Sequence, residues 1–265
     1  MLLKVTNRCG AGCSHCMEDS TPAGAHMSLD TFEAALDFTA RTEGIAWRTG
    51  IPPRILLSGG ECTEHPEIVA FVERVRARGF LPMLLSNGHF LADNALRDAL
   101  LRPEWPEILV QVTYDPRFYP KRPTQRVNDP RIVYVDALTV LLPLGRQARK
   151  TGRPPLPFRK GPSSFNLRSL AQHTRSFSLA VCALRLRAAT GSGGSCTPSV
   201  SQDGSVVAGE SNLCFRLGTV WDSEETLTAA ILTMGSCNRC GLETNLSPEQ
   251  RRALDNPKHA AMIGA

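Results

Sequence analysis

Cys9, Cys13 and Cys16 stand in a Cys-x3-Cys-x2-Cys array near the start of the chain. Three thiolates at this spacing can hold a four-iron cluster and leave one iron without a protein ligand, open to a small molecule. A second set lies far along the chain: Cys196 and Cys214, then the Cys-x2-Cys pair Cys237 and Cys240. Four thiolates can close a cluster completely, and they also suit tetrahedral zinc, for which Cys-x2-Cys is a common half-site. The nine cysteines, an odd number gathered mostly in short-spaced groups, fit metal ligation in a reducing compartment better than a disulfide framework. Cys62 and Cys182 are left over and read as small buried apolar residues.

These side chains need elements to carry them. The apolar run 2–6 predicts a strand directly before the cysteine loop, and the amphipathic stretch 28–42 predicts a helix after it. Residues 54–58 predict a second buried strand running into Gly59-Gly60-Glu61, and 81–85 a third that ends in Ser86-Asn87-Gly88. Helices are expected over 65–78 and 91–101, a fourth strand over 107–113, a fifth strand or strand pair over 132–142 and a sixth over 177–184. Strands alternating with helices imply a parallel sheet in an α/β fold. Right-handed crossovers curl such a sheet toward a partial barrel, with working residues on loops at the carboxyl ends of the strands. The cysteine loop, Glu61, Asn87 and Thr113 all fall at ends of this kind.

Cys-x3-Cys-x2-Cys after a first strand and Gly-Gly-Glu after a second resemble the signature of the radical S-adenosylmethionine (radical SAM) enzymes, over roughly residues 1–140. The resemblance implies a partial (β/α)6 TIM-like barrel and a 4Fe-4S cluster on Cys9, Cys13 and Cys16 whose open iron chelates the methionine part of SAM. It implies that Gly59, Gly60 and Glu61 meet the SAM ammonium, a charge-assisted pairing in the case of Glu61. His15 takes the place of an aromatic residue that packs near adenine. Ser86, Asn87 and Thr113 match polar positions around the methionine or ribose. The reaction implied is reductive cleavage of SAM to a 5'-deoxyadenosyl radical, which abstracts hydrogen from a small-molecule or peptide substrate. The electron comes from an external one-electron donor such as flavodoxin or ferredoxin.

The later cysteines follow Gly191-Ser192-Gly193-Gly194-Ser195, a hinge by composition. Asp203-Gly204 between two short β-prone runs predicts a hairpin that folds Cys196 toward Cys214. Asp222, with Glu225 three residues on, predicts a capped helix running to about Met234, which delivers Cys237 and Cys240. This arrangement resembles the twitch domain, a short relative of the SPASM domain of many radical SAM enzymes. It implies an auxiliary 4Fe-4S cluster on Cys196, Cys214, Cys237 and Cys240 that accepts an electron from the substrate. The expected organisation is a barrel over 1–185, the cluster-binding hairpin and helix over 190–245, and a tail over 246–265.

A chain of 265 residues, 42% hydrophobic, can bury a substantial core. The absence of a charged segment followed by a long apolar run at the start, and of any membrane-length apolar stretch, predicts a cytoplasmic protein with no membrane partner. Residues 115–175 carry 13 Lys and Arg against 3 Asp, a local balance of +10 in a chain whose formal net charge is +5. Such a band reads as a solvated basic surface or as an attractor of phosphate-bearing partners. The alternative reading is therefore a non-enzymatic iron-sulfur or zinc protein that binds nucleic acid through 115–175.

Overall fold

The computed structural model describes residues 1–13, 16, 18–42, 52–113, 126–135, 198–209 and 214–234. The chain begins with β1 (Leu2–Thr6), then α1 (Leu29–Thr42), β2 (Arg54–Gly59), a short 3-10 turn at Cys62–Glu64, and α2 (Ile68–Ala77). β3 (Leu81–Ser86), a second 3-10 turn at His89–Ala92, α3 (Asn94–Leu100), β4 (Leu109–Thr113) and β5 (Ile132–Val135) follow. The last described elements are β6 (Ser199–Val200), β7 (Ser205–Val207), β8 (Arg216–Thr219) and α4 (Glu224–Met234). The fold is α/β, as the alternating pattern predicts.

The described strands form one eight-stranded sheet in the order β5-β4-β3-β2-β1-β6-β7-β8. Strands β1 to β5 pair in parallel with their neighbours, β6 pairs in parallel with β1, and β7 pairs antiparallel with both β6 and β8. Register places Leu3, Leu57, Leu84, Val110 and Ile132 side by side in one row across five strands. All five are buried in a core shared with Phe32, Leu36 and Phe38 of α1 and Phe71, Val72 and Val75 of α2. The Phe32 and Phe71 rings stack with centroids 3.9 Å apart. The next residue along each strand faces the other way and is generally less enclosed: Ser58, Leu85 and Gln111 are half-buried. Alternation of this kind orients Lys4, Ser58, Leu85 and Gln111 toward the second face of the sheet.

Element boundaries shift where side chains take over backbone bonding. The helix expected from residue 65 begins at Ile68, because His65 Nδ1 accepts the N–H of Glu67 and holds that stretch as a turn. The helix expected from residue 91 is split: the 3-10 turn comes first, and Asp93 then caps α3 by accepting the Leu96 N–H at 3.1 Å. α4 is capped by Ser223, whose Oγ accepts the Thr226 N–H, instead of by Asp222. Asp222 turns back to accept from the N–H and hydroxyl of Thr219. The fifth strand covers only Ile132–Val135 of the longer stretch expected, and the sixth, over 177–184, lies outside the described residues.

The Asp203-Gly204 hairpin forms between β6 and β7, with the Gly204 N–H bonded to the Ser201 carbonyl and Asp203 bonded to Ser205. Its strands complete the same sheet as β1, so the sheet continues across the boundary expected near residue 190. The hinge at 191–195 lies outside the described residues. Gly204 has φ +78°, and a Cβ there would lie 2.6 Å from the Trp221 ring and 3.3 Å from Thr31 of α1. Arg41 of α1 donates to the Val220 carbonyl at 3.1 Å, a second tie between the hairpin region and the first helix. Among the described residues no helix is long and apolar enough to cross a membrane. Substituting Gly204→Ala is expected to lower stability by about 1–2 kcal/mol for the left-handed backbone alone, with more from the ring contact; chemical denaturation of the purified variant measures it.

Candidate functional site

Beyond the end of β1 the backbone is held from two sides. On one side the Gly60 N–H bonds to the Thr6 carbonyl and the Glu61 N–H to the Arg8 carbonyl, both at 2.8 Å, extending the β1–β2 pairing past a bulge. A Cβ on Gly59, where φ is +124°, would lie 2.0 Å from the Thr6 oxygen, and one on Gly60 would lie 2.2 Å from the Arg8 oxygen. Only glycine permits this approach. On the other side the Asn7 N–H bonds to Ala25 and the Cys9 N–H to Thr21, at 2.8 and 3.0 Å. Residues 6–9 thus lie between 59–61 and 21–25, and they deliver Cys9 to the carboxyl end of the sheet.

Three further contacts brace this loop. Lys4, on the second face of β1, is only 1% exposed, and its Nζ pairs with Glu18 at 2.8 Å, just past Cys16. Glu64 accepts the Gly10 N–H at 2.8 Å and faces the Arg8 guanidinium. Thr6 donates its hydroxyl to the Ala25 carbonyl and accepts from the Arg8 N–H, which leaves the His26 Nδ1 contact at 2.9 Å to be donated by the imidazole.

Cys9, Cys13 and Cys16 form no disulfide; Cys13 is buried and the other two are half-buried. The Cys16 N–H reaches the Cys13 carbonyl at 3.3 Å, and the Ala11 N–H reaches Cys9 Sγ at 3.5 Å. Burial pushes the Cys9 thiol up to about 12, with smaller contributions from Glu61, Glu64 and Cys13, partly offset by the Ala11 N–H. Cation binding at Cys9 therefore releases a proton. Among the described residues no three Cys, His, Asp or Glu side chains are drawn together as a metal-binding group. The donor set itself fits an iron-sulfur cluster: three soft thiols, none in a disulfide, with Cys9 and Cys13 near enough to repel as thiolates.

Glu61 joins the second and third strands. Its Oε1 accepts from the Thr63 N–H, the Thr63 hydroxyl at 2.6 Å and the Ser86 hydroxyl at 2.8 Å, and its Oε2 accepts the Asn87 N–H at 2.7 Å. The residue is 2% exposed, and burial raises its carboxyl above the usual range although each of these donors pulls the other way. Three of the residues singled out in the sequence, Glu61, Ser86 and Asn87, are thus one bonded unit. The carboxylate expected to serve a ligand ammonium is largely engaged within the chain; Oε1 carries three donors, whereas Oε2 carries one and has capacity for another.

Thr113 ends β4, half-buried and paired with Val135. His15, Cys196, Cys237 and Cys240 lie outside the described residues, as does most of 115–175. Cys214 is described and half-buried. Since β6 runs parallel to β1 and β7 returns antiparallel, the Ala208–Phe215 bond sets Cys214 at the end of the sheet where β1 begins. The cysteine loop at Cys9 is at the opposite end. Cys62 is fully buried, its Sγ donating to the Leu85 carbonyl at 3.3 Å, which agrees with the packing role read from sequence.

No family model matches this chain, and no curated protein matches it.

Two measurements test this scaffold. Glu61→Gln, which replaces a four-donor acceptor by an amide with one acceptor oxygen, is expected to cost about 2–3 kcal/mol in a urea titration. His65 donates Nε2–H to the Met27 carbonyl and accepts the Glu67 N–H at Nδ1, so it is held neutral, and burial lowers its pKa. Between that lowered value and the unfolded value of about 6.5, the unfolded chain binds the extra proton. Stability contributed by His65 is therefore expected to fall as pH drops below about 6.5, and His65→Gln should show a shallower acid decline in urea midpoint than the wild type.

Proposed function

We propose that this chain is a radical SAM enzyme whose strands form a partial (β/α)6 barrel. It binds a 4Fe-4S cluster through Cys9, Cys13 and Cys16, cleaves SAM reductively and takes a hydrogen atom from a small-molecule or peptide substrate. The observation that carries this reading is the seam between residues 6–8 and 59–61. A glycine pair admits β2 so close to the cysteine-bearing backbone that the thiol loop, Glu61 and the end of β3 share one end of a parallel sheet. That end is where α/β proteins commonly place their ligands.

When bound there, the cluster supplies one electron to the sulfonium of SAM, giving methionine and the 5'-deoxyadenosyl radical. The chain's own contribution is binding and orientation. Gly59, Gly60 and Glu61 take the ammonium end of SAM, with Oε2 of Glu61 as the acceptor that has capacity to spare. Ser86, Asn87 and Thr113 offer polar groups to the methionine and ribose, and His15 offers a flat ring to adenine. Glu61 at the same time anchors the Asn87 turn, so the parts of the SAM site are set before ligand arrives, which reduces the ordering cost of binding.

The later cysteines, Cys196, Cys214, Cys237 and Cys240, would hold the auxiliary 4Fe-4S cluster, which would supply an acceptor for the electron left on the substrate. Cys214, the one of these four among the described residues, sits beyond the start of β1, while Cys9 sits beyond its end. A flavodoxin or ferredoxin is the electron donor to the first cluster.

Anaerobic reconstitution followed by iron and sulfide counting is expected to give about eight irons per chain from two four-iron clusters. Replacing Cys9, Cys13 and Cys16 by alanine together should leave about four and abolish 5'-deoxyadenosine formation from SAM and dithionite. Nucleoside formation that survives in the triple variant, or a colourless wild-type protein holding zinc alone, would overturn the proposal.

A further inference from the structure

His89 closes the turn that follows β3, and its backbone is fixed from both directions. The Asn87 N–H bonds to Glu61 Oε2 at 2.7 Å, the Gly88 N–H to Ser86 Oγ at 3.0 Å, and the His89 N–H to Asn87 Oδ1 at 3.0 Å. Gly88 adopts φ +82°, which lets the chain turn sharply between Asn87 and His89. Through these bonds the position of His89 is tied to the buried Glu61 carboxylate, and it stands at the same end of the sheet as the cysteine loop.

The imidazole is treated differently from its backbone. His89 Nε2 is shut off from solvent and has no hydrogen-bond partner among the described residues. Two other described histidines, His26 and His65, each have ring nitrogens engaged. A buried ring nitrogen left unmatched forgoes a bond that water would otherwise supply, and a bound water, ion or ligand is what completes such a group in native proteins. Nothing in the sequence beyond its place after Ser86-Asn87-Gly88 marks His89.

We propose that His89 is a binding residue for SAM, its Nε2 forming a hydrogen bond with an oxygen of that molecule, either a ribose hydroxyl or the carboxylate. Three features carry this assignment: the unmatched buried nitrogen, the rigid Ser86–His89 turn, and the bond that ties this turn to Glu61. Because the backbone is already fixed, little ordering of this segment accompanies ligand binding. The inference rests on the radical SAM reading and adds to it a residue that the motif resemblance does not assign.

The test uses full-length, anaerobically reconstituted protein with its clusters oxidised, so that SAM binds without being consumed. SAM dissociation constants are measured by titration calorimetry for wild type, His89→Phe, His89→Leu and His89→Gln, with iron content and melting temperature as controls. Phe and Leu keep apolar bulk and lack the nitrogen; the smaller Leu serves if Phe does not fit. Both are expected to weaken SAM binding by about tenfold to a hundredfold, with iron content unchanged. Gln can place its amide near the Nε2 position and is expected to restore affinity to within about threefold of wild type. A histidine that merely fills space would show no rescue by Gln. Methylthioadenosine, which keeps the ribose and lacks the amino acid, locates the oxygen: its affinity falls in the Leu variant if the partner is a ribose hydroxyl and is unchanged if it is the carboxylate.

Wild-type affinity for SAM in both the Phe and Leu variants overturns the assignment of His89 and leaves the radical SAM reading standing. A wild-type protein that takes up no cluster, or binds no SAM, removes that reading and this inference with it.

Discussion

The approach of residues 59–61 to the backbone of residues 6–8 is the constraint on which the site depends. Two N–H groups, of Gly60 and Glu61, continue the β1–β2 pairing into what would otherwise be free loop, and the absent side chains of Gly59 and Gly60 make room for it. A parallel pair of strands ordinarily diverges into its crossover connections once the ladder ends. Here the ladder carries on until it reaches the residue before Cys9. The same seam brings Glu61 to the end of β3, where its carboxylate takes the Ser86 hydroxyl and the Asn87 N–H. One close contact therefore sets three strand ends relative to each other.

Buried polar groups pay for this rigidity elsewhere in the loop. Lys4 and Glu18 are both nearly enclosed, and an ion pair of that kind balances desolvation against attraction more than it adds stability. Its value lies in specificity, because removing either partner leaves an unmatched charge indoors. His26 and His65 pack edge to face with centroids 4.9 Å apart, and each is committed to a neighbour: His26 to the Thr6 hydroxyl, His65 to Met27 and Glu67. The segment that returns from the cysteine loop to α1 is held by these bonds as firmly as the strand that enters it. A thiol loop fixed at both ends can present its sulfur atoms without ordering the rest of the chain upon ligation.

Much of the architecture was legible in the residue pattern. The strand-helix alternation located β1 to β4 with α1 and α2, and Asp203-Gly204 located the hairpin, because periodicity and turn chemistry act within a few residues of themselves. The misplacements have local causes of a different sort: His65, Asp93 and Ser223 bond to backbone N–H groups and reset where helices begin, and several side chains in each neighbourhood could have done so. Within the site, Cys9, Gly59, Gly60, Glu61, Ser86 and Asn87 could be named in advance. Their connection could not, since nothing local in the sequence shows that the Glu61 carboxylate takes donors from Thr63, Ser86 and Asn87. Lys4, Glu18, Glu64 and His89 carry no local signature of their roles.

What the sequence alone determined is the inventory at short range: thiols at fixed offsets, a glycine pair directly after an apolar run, and alternating strands and helices. These depend on neighbours along the chain and are encoded there. Tertiary structure alone decided that Lys4 meets Glu18, that Glu61 closes onto β3, that β6 completes the sheet beside β1, and that Cys214 stands at the opposite end from Cys9. Each of those outcomes depends on register between segments remote in sequence, where burial and backbone pairing select one partner among many chemically equivalent ones.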